Sequence, residues 1–130
     1  MAFQTTALYA LPLALLGLVL WFRVTQMRAQ LKVSIGDAGN FGLHERIRQH
    51  GNFIEWTAMV LLLMIIAEGN GAGPFWLHIA GALLLVGRIA HPFGLKAGNA
   101  GHPLRYVGNS ASLLAMLTLM VSLFVTSFGL

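Results

Sequence analysis

Four apolar stretches, each roughly 20 residues long and separated by short polar connections, leave this chain few ways to fold. They run from Thr5 to Phe22, His44 to Ala67, Pro74 to His91 and Pro103 to Phe128. About 20 residues of helix, at about 1.5 Å each, cross a hydrocarbon layer roughly 30 Å thick. Backbone amides inside that layer find no water, so each stretch must satisfy its own hydrogen bonds as a helix. With 57% hydrophobic and 9% charged residues and a mean hydropathy of +0.74, the chain lies outside the soluble globular range. The expected fold is an all-α integral membrane protein, a four-helix antiparallel bundle. It forms a single domain over residues 1–130, with helices at about 5–30, 44–67, 74–91 and 103–128.

The connections set the topology. SIGDAGN, Ser34 to Asn40, is the clearest loop. EGNGAGP, Glu68 to Pro74, is short enough to make the second and third helices antiparallel neighbours. PFGLKAGNAGHP, Pro92 to Pro103, is too rich in glycine to stay helical. No basic region precedes the first apolar stretch and no small-residue cleavage pattern follows it, so the first helix is expected to remain in the protein. The eight Lys and Arg all flank the first and third connections, and none lies between Glu68 and Pro74. The positive-inside rule then puts those connections in the cytoplasm and both termini outside. The high net charge rims a membrane rather than coating a soluble face, which excludes nucleic acid as its partner.

Within the second helix, Arg48, Asn52 and Glu55 fall in a sector of about 60° at about 100° per residue. Met59, Leu62 and Ile66 continue that face into the apolar layer. Glu55 lies about 10 Å along the axis from Arg48, where insertion of a charge costs about 3 kcal/mol. Two readings stay open for this row: a structural ion pair with an interhelical amide, or the wall of a site for an anionic guest. Asp37, Glu45 and Glu55 cannot neutralise eight cations, and that excess favours the guest.

In the fourth helix Arg105, Asn109 and Ser112 share a face by the same spacing, followed by Met116 and Leu119. Arg105 either snorkels to the headgroups or meets a ligand there. Arg88 and His91 stand one turn apart near the end of the third helix. The five histidines are scattered and cysteine is absent, so no metal site is expected. A protein thiolate nucleophile is excluded for the same reason. No P-loop or nucleophile-elbow motif is present.

The R-x-x-x-N-x-x-E row at the start of the second of four membrane helices, here Arg48, Asn52 and Glu55, resembles the membrane-associated proteins in eicosanoid and glutathione metabolism. Microsomal glutathione transferases belong to that family. The likeness covers almost the whole chain. It implies a homotrimer that holds glutathione, as co-substrate, between neighbouring subunits near the cytoplasmic face. By position it implies a glutathione-binding set of Arg28, Arg48, Asn52, Glu55, Arg88 and His91, with Arg105 as the catalytic group that stabilises the thiolate. The chain departs from the family pattern at Phe93, Gly94 and Leu95, where many members have a tyrosine. Glu45 and Arg46 stand at a different distance from the motif Asn and are not carried over.

The expected function is therefore a membrane-bound glutathione-dependent transferase or peroxidase. It would join glutathione thiolate to a lipophilic electrophile, or reduce a lipid hydroperoxide. The second substrate would arrive from membrane lipid along Met59, Leu62, Met116 and Leu119. Non-enzymatic alternatives are a small transporter using Glu55 as its exchange group, or a scaffold of the same fold that binds glutathione or lipid without turnover.

Overall fold

A computed structural model of the protein describes residues 2–129. The described residues form four helices: α1 (Gln4–Leu31), α2 (Phe41–Gly69), α3 (Pro74–Gly94) and α4 (Pro103–Phe128). All four are long and apolar enough to cross a membrane. At about 1.5 Å per residue, α1 and α2 reach roughly 42 and 44 Å, past the hydrocarbon layer on at least one side.

Two helix ends differ from the sequence expectation. Helix α2 opens at Phe41 rather than His44, because the Asn40 side chain accepts a 3.0 Å hydrogen bond from the Leu43 amide and so caps three residues earlier. Helix α3 continues through Pro92 to Gly94 instead of stopping at His91. Pro92 forfeits one backbone bond there. The Gln49 amide, reaching across from α2, donates to the Pro92 and Leu95 carbonyls, each at 3.0 Å. Those carbonyls belong to the last turn, which has no helical donors of its own.

The bundle is antiparallel and stapled at both ends. At the apolar-turn end, Glu68 caps α1: its carboxylate accepts from the Thr5 amide at 2.9 Å, the Thr6 amide at 2.8 Å and the Thr6 hydroxyl at 2.6 Å. An anionic group at a helix N-terminus satisfies orphan amides and meets the positive end of the helix dipole. Replacing Glu68 by Gln is expected to lower stability by roughly 1–2 kcal/mol. A thermal melt in detergent checks this, and an unchanged midpoint would remove Glu68 as the cap.

At the basic end, Arg46 of α2 donates to the Arg23 carbonyl of α1 at 2.9 Å. Glu45 accepts from the Ala97 amide at 2.6 Å and stands 3.9 Å from Lys96. In the first loop the Gly39 amide and His44 hold the Asp37 carboxyl below the usual carboxylate range.

The core follows one stripe of each helix. On α2 it runs Phe53, Thr57, Val60, Met64 and Ala67, alternating steps of four and three. Helices α3 and α4 make the most intimate pair, where Gly87 and Gly108 face each other. A Cβ built on Gly108 would stand 2.6 Å from His91 Cβ and 2.8 Å from the Gly87 carbonyl oxygen. Such absence of side chains is how membrane helices gain close packing without a hydrophobic drive between them. The outer faces remain apolar and exposed, with Leu11, Leu15 and Leu18 of α1 each at least 60% accessible, as a lipid-facing surface requires.

Candidate functional site

The antiparallel order gathers the C-terminal ends of α1 and α3 and the N-terminal ends of α2 and α4 at one end of the bundle. There the helical row read from the sequence divides in two. Arg48 and Glu55 face out of the bundle, with side chains 51% and 60% accessible and 3.9 Å between Arg48 Nη1 and Glu55 Oε1. An ion pair this long and this open contributes less than about 1 kcal/mol. It does not hold the bundle together.

Asn52 turns the other way, into the protein. Its side-chain oxygen accepts a 2.8 Å bond from Arg88 Nη1, and Arg88 Nη2 donates to the Gly108 carbonyl at 2.9 Å. Arg88 is 1% exposed, lies 5.9 Å from the Trp56 ring centroid and keeps Nε without an acceptor among the described residues. A buried guanidinium loses several kcal/mol of hydration, which carbonyl oxygens and an aromatic face only partly replace. Arg88 thus ties α2, α3 and α4 together at one depth. His91, 2% exposed, packs beside it against Gly108.

Arg105 is half-buried at the start of α4, and one of its terminal nitrogens donates to the Ala100 carbonyl at 3.1 Å. A guanidinium has five donors in all, so this leaves several available. One turn later, Asn109 keeps its side-chain oxygen buried and without a donor among the described residues. Arg28 donates to the Gly36 carbonyl at 2.8 Å on the loop that follows α1. Within the chain the structure joins Asn52 to Arg88, Arg88 to Gly108 and His91, and Arg48 to Glu55. Arg28 and Arg105 each hold their own loop instead.

Two polar residues of this end escaped the sequence reading. Gln49, 1% exposed, bonds the end of α3. Its signal was its place four residues before Phe53 on the buried stripe. Glu45 anchors the third connection through the Ala97 amide, and nothing in its spacing announced that. Two expectations for α4 also need revision. Ser112, read on one face with Arg105 and Asn109, is fully buried and donates to the Gly108 carbonyl, and Leu119, assigned to the lipid-side substrate path, lies in the core. Both fall on α4's packed stripe with Gly108, Ala111 and Ala115. Met59 and Leu62 do lie on the outer surface. No group of three or more metal-binding side chains occurs among the described residues.

A sequence model of the MAPEG family, the membrane-associated proteins in eicosanoid and glutathione metabolism, matches residues 6–125. The chain belongs to this family. Among curated relatives of this MAPEG protein is the inner membrane protein YecN of Escherichia coli strain K12. It is 41% identical over 91 residues, covering 70% of each chain. YecN of E. coli O6:H1 strain CFT073 matches to the same extent. No solved structure matches. Family membership and four apolar helices make this a multi-pass membrane protein of the MAPEG type.

Proposed function

We propose that the chain is a membrane-bound glutathione-dependent transferase or peroxidase, with its glutathione pocket on the outer faces of α2 and α4 at the basic end. One observation carries this reading. Arg48 and Glu55 point outward and contribute little to the protomer, while their neighbour Asn52 is locked inward by Arg88. Opposite charges held outward at membrane depth want a partner that brings both signs. Glutathione brings two carboxylates, an ammonium and a thiol, and this end offers guanidinium groups and one carboxylate.

In this reading Arg48 meets a glutathione carboxylate and Glu55 its ammonium. Arg88 and His91 act through Asn52, fixing the depth of α2 against α3 and α4. Arg28, turned onto its own loop in the single chain, serves a neighbouring copy, so a homotrimer completes the pocket. The basic end is cytoplasmic, with both termini outside, by the positive-inside rule. Arg105 lies beside the sulfur and favours its thiolate. The thiol proton leaves to water, and the sulfur pair forms the new bond to an electrophilic carbon of a lipophilic substrate arriving along Met59 and Leu62, as that carbon's bond to its leaving group breaks and the group departs with the electron pair.

Calorimetry of glutathione against detergent-purified protein tests the binding half. Binding is expected, weakened roughly tenfold or more in Glu55→Gln and in Arg48→Ala, since each removes a charge-assisted bond. Absence of binding to the unmodified protein would overturn the proposal. A second reading, a scaffold that binds glutathione without turnover, is favoured by Phe93, Gly94 and Leu95, which supply no hydroxyl one turn beyond His91. Binding without conjugation of a chromogenic electrophile would select it.

A further inference from the structure

On the opposite side of the protomer from the α2–α4 faces, α1 and α3 enclose a groove of about 310 Å³. Val19, Leu20, Ile89 and Phe93 form its walls, and Arg23 and Lys96 stand among its lining at the basic end. Trp21 and Phe22, both more than half exposed, directly precede Arg23. Aromatic residues of this kind mark the membrane interface, so Arg23 lies at headgroup depth. Arg46, bonded to the Arg23 carbonyl, adds a third cation to this corner.

The charges here do not balance. The chain has four acidic side chains. Asp37 is taken by His44 and the Gly39 amide, Glu55 by Arg48, and Glu68 caps α1 at the other end of the bundle. Only Glu45 reaches this corner, and it is shared between Lys96 and the Ala97 amide. Among the described residues no carboxylate lies within ion-pair reach of Arg23. A second copy of the chain could bring only its outward-facing Glu55, which lies on the α2 face and not beside this groove. The headgroup layer has many acids.

From this pairing of an apolar groove with an under-compensated cationic rim, we infer a specific site for one anionic membrane phospholipid. Its phosphate lies between Arg23 and Lys96, and an acyl chain fills the space beside Val19, Leu20, Ile89 and Phe93. The residues varied below, Val19, Arg23 and Lys96, lie outside the glutathione set.

Native mass spectrometry of the detergent-purified protein, with phosphatidylglycerol and phosphatidylcholine of equal chain length, tests it. One phosphatidylglycerol per chain is expected to be retained in preference to phosphatidylcholine. The double variant Arg23→Gln, Lys96→Gln should weaken that retention by roughly 25-fold, about fivefold per cation. Val19→Trp, which fills the groove at an exposed position, should reduce adducts of both lipids. Glutathione calorimetry should be unchanged in all these variants, which separates failure of this site from failure of the pocket. Equal retention of both lipids, or an unchanged double variant, would overturn the inference. So would saturation by inorganic phosphate alone, or loss of the groove to a contact between copies that admits no lipid.

Discussion

Arg105→Ala is expected to reduce conjugation of glutathione to a chromogenic electrophile by roughly 10²-fold, the scale of losing one preorganised charge-stabilising group. Glutathione affinity should change only a few-fold, because the proposed pocket assigns recognition to Arg48 and Glu55. A free thiol has a pKa of about 8.5, so only a few per cent is thiolate at pH 7. A guanidinium beside sulfur raises that share. The sign of the pH dependence follows: the deficit of the variant should shrink as pH rises, because bulk deprotonation replaces what the cation supplied. Arg105→Lys keeps the charge and should recover part of the rate. Rate profiles against pH for the three proteins, together with glutathione calorimetry, decide it. Equal turnover in the alanine variant would take Arg105 out of the chemistry.

A comparable effect on stability is expected from a single methyl group. In Gly94→Ala the new Cβ would overlap the Arg105 amide nitrogen and stand 2.6 Å from the Leu104 carbonyl carbon and 2.8 Å from Arg105 Cα. All three are backbone atoms, so no rotamer change relieves the clash, and the end of α3 must move away from the start of α4. The expected loss is about 3 kcal/mol, at the upper end for an overpacked site, and Arg105 is displaced with it. Gly51→Ala is the matched comparison. Its Cβ meets nothing closer than the Arg48 terminal nitrogen at 3.7 Å, so relief of a mid-helix glycine should stabilise by about 0.5–1 kcal/mol. Thermal melts of both variants in detergent measure the contrast, and equal behaviour would disprove the α3–α4 contact.

Periodicity and length made the four helices legible, because a hydrocarbon layer allows one solution to the backbone hydrogen-bonding problem. The same arithmetic placed Arg48, Asn52 and Glu55 on one face, yet a sector of about 60° is wide enough to straddle the edge of a helix contact. Asn52 therefore went inward while Arg48 and Glu55 stayed out. Spacing along one helix does not say which neighbour lies beyond it. Arg88 shows the limit most plainly, since its role depends on the Gly108 carbonyl, 20 residues away and opened by the lack of a side chain there. Gln49 could have been found from its position on the apolar stripe, where a polar residue must have a partner. Glu45 could not, because its contact is to a loop amide.

The bonds between Glu68 and the first two threonines of α1 connect only residues made before the third helix begins. A nascent chain that has just left the ribosome through Glu68 already contains every atom of that clasp. The glycine contact of Gly87 with Gly108 belongs wholly to the later pair. Assembly in the bilayer can therefore proceed as two hairpins, each closed by its own local device, that dock when Gln49 and Arg88 bridge them. Early insertion of the first hairpin places the far-end carboxylate before any later basic residue is translated.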